Sequence, residues 1–150
     1  MLTSLTSGEV DILPVVLVGT GSFFCAKSIR MTFKHAASPS FEAPGYKKGR
    51  KHPRYHAFRG ATLAIGAVAT MNFVVWRPKV ERAEKGFESL WISGAIAAVS
   101  YFSGWWLPKP LLKLKTPNWT AETVHILAAL LCCGGLMSIC PFTSTKLLTQ

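Results

Sequence analysis

The chain has 150 residues, with 17 Lys and Arg against 7 Asp and Glu, and a formal net charge of +10. Apolar residues make up 49% of it, only 16% are charged, and its mean hydropathy is +0.28. A typical soluble domain has about a quarter of its residues charged. The charges here also cluster and leave four uncharged stretches, at 12–26, 60–76, 89–108 and 123–145. This pattern excludes a soluble enzyme, a disordered chain and a β-sandwich, and it predicts an all-α membrane protein with about four transmembrane helices.

The first predicted span runs from about residue 12 to about residue 33. Its uncharged part is shorter than the about 20 apolar residues that cross a bilayer. However, the apolar pattern continues through Ile29 and Phe33, which share one helix face. Three basic side chains share another face: Lys27, Arg30 and Lys34. Because long basic side chains can extend their charge to the headgroups while their stems stay in the apolar layer, the helix can continue through this region.

The second predicted span covers 58–76. It ends at Trp76-Arg77-Pro78, which combines an aromatic residue of the membrane interface, a cation and a residue that cannot continue a helix. The connector after it, 77–88, is long enough for a short amphipathic turn in the headgroup region.

The third and fourth predicted spans cover 90–107 and 121–140. Tryptophans mark both ends of the third, which Pro108 and Pro110 then terminate. The fourth has Thr120 and Glu122 in N-cap and first-turn positions, and Pro141 follows its end. The four spans form a single domain over residues 1–150.

A basic extended loop is predicted at 34–57, between the first two spans. With its flanks it supplies the candidate headgroup-binding residues Lys27, Arg30, Lys34, Lys47, Lys48, Arg50, Lys51, Arg54 and Arg59. Their position beside a membrane span favours anionic phospholipid, cardiolipin included, over nucleic acid. An acidic surface of a partner subunit is equally compatible. The first and third connectors together carry twelve Lys and Arg, so the positive-inside rule places both chain ends on the opposite side, facing the intermembrane space in a mitochondrion.

Few residues in the spans are suited to chemistry. No Asp, Glu, Lys or Arg lies in the middle of a span, although proton relays and ion-coupled transporters usually need one. Asn72 is interpreted as a helix–helix hydrogen bond, and His125 as a hydrogen-bonded packing residue rather than a haem ligand. His52 and His56 are four apart, but Pro53 between them argues against a regular helix. We therefore expect no catalytic residue, cofactor or metal.

Small residues at four-residue spacing are the more informative feature. They occur as Gly60 with Ala64, Gly66 with Thr70, Gly94 with Ala98, and Ser100 with Gly104. The candidate helix-packing residues are Gly19, Gly21, Gly60, Gly66, Gly94, Gly104 and Gly134. Such residues let helix backbones approach closely in lipid. They fit either packing within this bundle or docking against a larger membrane complex.

The first third of the chain resembles the MLRQ subunit family of mitochondrial respiratory complexes. The matching residues are Leu13-Pro14, Gly19-Thr20-Gly21 and Arg30, in the family's order and spacing, within a segment of about 30 residues. The family's Asn-Pro exit is missing, and 36–39 stands in its place. The resemblance implies a supernumerary, non-catalytic subunit of the inner membrane, imported without a cleaved presequence. It also implies a matrix amino terminus, opposite to the charge rule.

Three functions follow as hypotheses. The first is an accessory subunit of a mitochondrial inner-membrane complex, most simply cytochrome c oxidase or complex I, that contributes assembly, stability and lipid contacts. ATP synthase is an alternative host. The others are a small membrane transporter and a haem- or quinone-binding redox protein, in which His125 would need a partner at matching depth.

Overall fold

The fold is a bundle of four long helices that alternate in direction. The computed structural model describes residues 9–42, 49, 51–113 and 119–143. The long helices are α1 (Ile12–Ala37), α2 (His52–Val75), α4 (Phe87–Trp106) and α6 (Trp119–Met137), and two short ones are α3 (Lys79–Arg82) and α5 (Pro108–Leu112). No strand occurs in these ranges. All four long helices are long and apolar enough to cross a membrane, so the chain is a multi-pass α-helical membrane protein.

The first helix is longer than its predicted span. With 26 residues, α1 is about 39 Å long, whereas the hydrocarbon layer is about 30 Å thick. Its last turns therefore extend beyond that layer, as the basic residues there require. The helix ends at Ala37, and a short 3-10 turn follows at Pro39–Phe41, where the Ser38 hydroxyl accepts a hydrogen bond from the Ser40 amide.

The prediction of a loop up to residue 57 is wrong at its end. The second helix begins at His52, with Pro53 in its first turn. Proline is tolerated there because the first amides of a helix have no partner within it. His52 and His56 thus do lie on one helix, against the sequence interpretation. Residues 34–37 of the predicted loop belong to α1, and residues 52–57 belong to α2.

The later boundaries agree with the predictions to within a few residues. The third long helix, α4, begins after Gly86 and ends at Trp106. Gly86 has a φ of +107°, which only glycine adopts readily. Pro108 then opens α5 instead of ending all helical structure. The last helix begins at Trp119, which places Thr120 inside it and not at its N-cap. The predicted amphipathic turn corresponds to α3.

An ionic cluster joins the start of α1 to the connector after α2. The Arg82 guanidinium donates to Asp11 at 2.8 Å and to the carbonyl oxygens of Arg77 and Val75 at 2.8 and 3.1 Å. Its side chain is only 9% exposed. The Arg82 side chain thus closes the end of α2 and holds it against the residue that precedes α1.

Lys79 adds a second, more exposed link at the same end of the bundle. Its ammonium lies 3.0 Å from Glu9 and 3.1 Å from Asp11. Hydrogen bonds to these two carboxylates raise the pKa of Lys79 above its ordinary value. The upward shift favours the charged ammonium, so the link persists further into the alkaline range than it would with an ordinary lysine.

The core is small and lies on the shared axis of the helices. Its largest fully buried side chains are Val18, Cys25, Met71, Val74, Val75 and Cys132. The closest helix pairs are α1 with α6 and α1 with α2. In each span, only 17% to 28% of the most apolar window is buried. Large apolar side chains such as Val99 and Leu130, 68% and 66% exposed, cover the outside, as lipid contact requires.

Candidate functional site

The candidate basic residues gather at one end of the bundle. Four of them are exposed at the end of α1 and the start of α2: Lys27, Arg30, Lys34 and Arg59. Lys51 is exposed just before α2. Lys47, Lys48 and Arg50 lie outside the described residues. The exposed cations form a basic rim, defined here as Lys27, Arg30, Lys34, Lys51 and Arg59. All five side chains are exposed, and the Lys27 ammonium lies 4.7 Å from the centroid of the Phe23 ring.

Arg54 makes different contacts from the rest of the basic residues. Its guanidinium donates to the carbonyl oxygens of Ala36 at 2.7 Å and Ala37 at 3.1 Å, and it pairs with Glu42 at 3.0 Å. The last carbonyls of a helix otherwise have no partner. Arg54 therefore closes the end of α1, and we correct its assignment from headgroup ligand to structural contact.

Two of the candidate packing glycines lie at tight helix contacts. A Cβ on Gly21 would lie 2.5 Å from Cys132 Sγ and 3.2 Å from the Ala128 carbonyl oxygen of α6. A Cβ on Gly94 would lie 2.9 Å from Val74 Cγ2. Both glycines thus permit a helix approach that any larger residue would prevent.

The other five candidate glycines are exposed and make no close contact with a neighbouring helix. They are Gly19, Gly60, Gly66, Gly104 and Gly134. A Cβ on any of them would meet no described atom within 4 Å. Packing inside this chain therefore does not explain them, and docking against another molecule stays a prediction.

Gly135, which is not among the candidate packing residues, makes a tight helix contact beside Gly134. A Cβ on Gly135 would lie 2.6 Å from Val18 Cγ2 and 3.0 Å from the Pro14 carbonyl oxygen, so this glycine forms the tight contact between α6 and α1. A helix rotates by about 100° per residue, so only one of two adjacent glycines can face a given neighbour. The sequence signal was that Gly135 is three residues from Cys132 and seven from Ala128, on the same helix face.

Asn72 makes the predicted hydrogen bond between helices. Its amide nitrogen donates to Ser22 Oγ of α1 at 2.7 Å and to the Val68 carbonyl oxygen at 2.8 Å.

Glu122 accepts hydrogen bonds from three side chains at the place where α4 ends and α6 begins. It accepts hydrogen bonds from the indoles of Trp105 and Trp106, each at 3.1 Å, and from the Lys109 ammonium at 2.6 Å. The two tryptophans predicted as interfacial anchors are thus also hydrogen-bonded within the protein. This cluster connects α4, α5 and α6 at the end of the bundle that carries the basic rim.

Among the described residues, His125 is the one buried side chain of a polar or charged type, and it lies beside a cavity. Its Nε2 is 2.9 Å from Ser28 Oγ, and its Nδ1 is 2.8 Å from the Ala121 carbonyl oxygen. Its ring stacks on Trp105, with centroids 3.5 Å apart and planes inclined by 5°. Ser28, His125 and Trp105 line a cavity of about 530 Å³ together with residues of α2. The sequence identified His125 but not this cavity.

The remaining histidines and the cysteines do not form a metal centre in the described chain. His52 and His56 lie on the exposed side of α2 with their Nε2 atoms 2.8 Å apart. No group of three or more metal-ligating side chains occurs among the described residues. The four cysteines are free, and three of them are buried.

The four-helix topology and these clusters define a small multi-pass membrane protein with a basic rim at one end. No protein-family model, curated protein or solved structure matches the chain. The resemblance of 11–30 to the MLRQ family therefore stays a prediction from the residues quoted above.

Proposed function

We propose that the chain is a non-catalytic accessory subunit of a mitochondrial inner-membrane respiratory complex, most simply cytochrome c oxidase or complex I. One observation carries this proposal: five glycines lie on the outer surface of the spans, where no contact within the chain needs them. Leucine is as compatible with lipid as glycine, but only small residues let a second helix approach the backbone closely. The resemblance of the first span to the MLRQ family supports the mitochondrial host.

The docking surface centres on Gly66 of α2 in this proposal. Gly66 is exposed. Thr62 and Ala69, which lie about one turn before and one turn after it in α2, are exposed as well. The occupant is a transmembrane helix of the host that presents small residues to Gly66. Gly94 is unsuitable for testing this contact, because it is buried against Val74 and its replacement would disturb the bundle itself.

A native gel of mitochondria solubilised in digitonin tests the proposal. The wild-type chain, located by mass spectrometry, is expected to migrate with the subunits of one large respiratory complex. Gly66→Leu is expected to shift most of the chain to a small species, because the side chain separates the two helices. Ile65→Leu changes an exposed side chain of the same helix without adding volume, and it should leave migration unchanged. Migration of the wild-type chain alone would contradict the proposal.

The basic rim gives the proposed subunit its contact with cardiolipin. A basic residue near an anionic membrane surface contributes about 1 kcal/mol of attraction. Lys34→Ala should therefore reduce the increase in melting temperature that added cardiolipin produces in detergent, while the melting temperature without lipid stays unchanged.

Arg54→Ala should have the opposite effects to Lys34→Ala on the melting temperature with and without cardiolipin. We expect it to lower the melting temperature without lipid, corresponding to about 1 to 3 kcal/mol for lost hydrogen bonds to a charged group. The increase on adding cardiolipin should persist. If the two variants behaved alike in both measurements, the division between basic rim and structural contact would be wrong.

A further inference from the structure

The cavity beside His125 is a crevice between α2 and α4. These helices pack closely at the end where Gly94 meets Val74, and they separate towards the end that carries the basic rim. The walls consist largely of small residues: Gly60, Ala64 and Ala67 on α2, and Ser100 and Gly104 on α4. Gly60, Ser100 and Gly104 are exposed, so the crevice opens sideways on the outer surface of the spans. Its volume, about 530 Å³, lies within the usual range of about 300 to 1,000 Å³ for small-molecule sites.

The floor of this crevice is polar. Ser28 and Thr32 of α1, Tyr101 of α4 and His125 of α6 all line it. The Ala121 carbonyl oxygen can only accept, so the neutral imidazole carries its proton on Nδ1. The Nε2 lone pair then accepts from the Ser28 hydroxyl, and the oxygen of Ser28 keeps lone pairs for another donor.

The two other hydroxyls have similar capacity. Thr32 donates to the Ser28 carbonyl oxygen at 3.1 Å, which leaves the Thr32 oxygen able to accept. Tyr101 donates to the Cys25 carbonyl oxygen at 3.4 Å, beyond the usual 2.5 to 3.0 Å range for hydroxyl donors. The Tyr101 hydroxyl also interacts with the Ser28 side chain. The floor therefore offers two acceptors, the oxygens of Ser28 and Thr32, to a hydroxyl group that donates a hydrogen bond.

The depth of the floor suits a lipid headgroup region. Ser28 follows Lys27 directly and precedes Arg30 by two residues, and both cations are exposed. Because a helix rises about 1.5 Å per residue, Ser28 lies within one turn of both residues, whose long side chains extend their charges towards the headgroups. Ser28 thus lies just inside the level of the headgroups. This position is the boundary between headgroups and hydrocarbon, where neutral lipids place their hydroxyl.

We propose that the crevice binds a neutral membrane amphiphile through its hydroxyl group, with the apolar tail leaving between α2 and α4 into the bilayer. No charged side chain lines it among the described residues, and Lys27 lines only the neighbouring cavity, which shares Ser28 and His125 with it. A neutral hydroxyl therefore fits the crevice itself. The Trp105–His125 ring stack supplies a flat wall for the part of the ligand next to the hydroxyl. This site does not depend on the accessory-subunit proposal, since it lies within one copy of the chain.

Photolabelling of the purified full-length chain in nanodiscs tests the site. The probe is a diacylglycerol with a diazirine in one acyl chain, compared with its methyl ether and with the phosphatidic acid of the same chains. We expect the diacylglycerol to label peptides of α2 and α4 about fivefold more than the ether does, the ratio for one net hydrogen bond. Equal labelling by the ether, or stronger labelling by the phosphatidic acid, would overturn the proposal.

Variants separate the crevice from general lipid contact. Gly60→Phe places a ring in the crevice from a position where the Cβ meets no described atom within 4 Å, and it should abolish the preferential labelling. Gly66→Phe adds the same side chain to α2 outside the crevice lining, and it should leave labelling unchanged. Loss in both variants, retention in both, or crosslinking of two copies through the crevice would overturn the proposal.

The hydroxyl groups are tested separately from the volume. The triple variant S28A, T32V and H125F retains the walls and an aromatic ring against Trp105, but it removes the hydroxyls of Ser28 and Thr32 together with the Nε2 acceptor that loss of Ser28 would uncover. It should label equally with the diacylglycerol and with its ether. If the fivefold preference survived, the polar floor would not be the binding determinant, and the proposal would be wrong.

Discussion

Gly135→Ala is expected to destabilise the protein by about 2 kcal/mol, within the range of about 1 to 3 kcal/mol for overpacking a close contact. The added Cβ would lie 2.6 Å from Val18 Cγ2 and 3.0 Å from the Pro14 carbonyl oxygen. A valine in a helix strongly prefers one rotamer, and a backbone oxygen cannot rotate away. Relief therefore requires α6 to move away from α1. Reversible unfolding in mixed micelles, followed by circular dichroism, gives the change in free energy.

Gly134→Ala is the matched control for that experiment. The two glycines are adjacent in α6, but a Cβ on Gly134 would meet no described atom within 4 Å. Alanine is the better helix former by up to about 1 kcal/mol in water, so this variant should be neutral or slightly more stable. Equal destabilisation by the two substitutions would contradict the contact between α6 and α1.

Arg82→Met is expected to cost about 3 kcal/mol. Breaking a buried ion pair costs about 3 to 5 kcal/mol, and the lower value applies because Asp11 remains 38% exposed. The substitution removes the donor for two carbonyl oxygens near the end of α2 as well as the pair with Asp11. The same unfolding experiment measures the loss, and proteolysis of the connector that contains α3 should become faster.

Two further variants test whether the burial of Arg82 causes the loss of stability in Arg82→Met. Arg82→Lys keeps the charge but cannot donate to three separate acceptors from a single ammonium without longer distances, so its cost should be intermediate. Arg77→Met removes an exposed pair with Glu81 and a contact over the Phe73 ring, together about 0.5 to 1 kcal/mol. If Arg77→Met cost as much as Arg82→Met, the burial of Arg82 would not be the cause.

The positions of the spans could be predicted because hydropathy acts locally. Each uncharged stretch corresponds to one long helix, and the aromatic and proline signals placed most ends within a few residues. The errors occurred where one residue type is compatible with two different local structures. Pro53 was interpreted as a helix breaker, but at the first turn of α2 it is compatible with the helix.

The roles of individual polar residues were only partly predictable. Asn72 was assigned correctly, since an amide in a span has few options besides a neighbouring helix. Arg54 was grouped with the other cations of the basic loop, because its sequence surroundings are the same as theirs. Its distinct role follows from the position of Ala36 and Ala37, which are 18 and 17 residues away in sequence.

The sequence by itself determined the class of this protein, because burial in a bilayer depends on runs of apolar residues and needs no tertiary contact. It also located the glycines and His125. Only the tertiary structure decided which glycines contact a neighbouring helix and which face outward, since that depends on the rotation of each helix about its axis. The same holds for the crevice, whose floor joins Ser28, Tyr101 and His125 from three helices. No local pattern encodes their meeting, because it results from how α2 and α4 diverge.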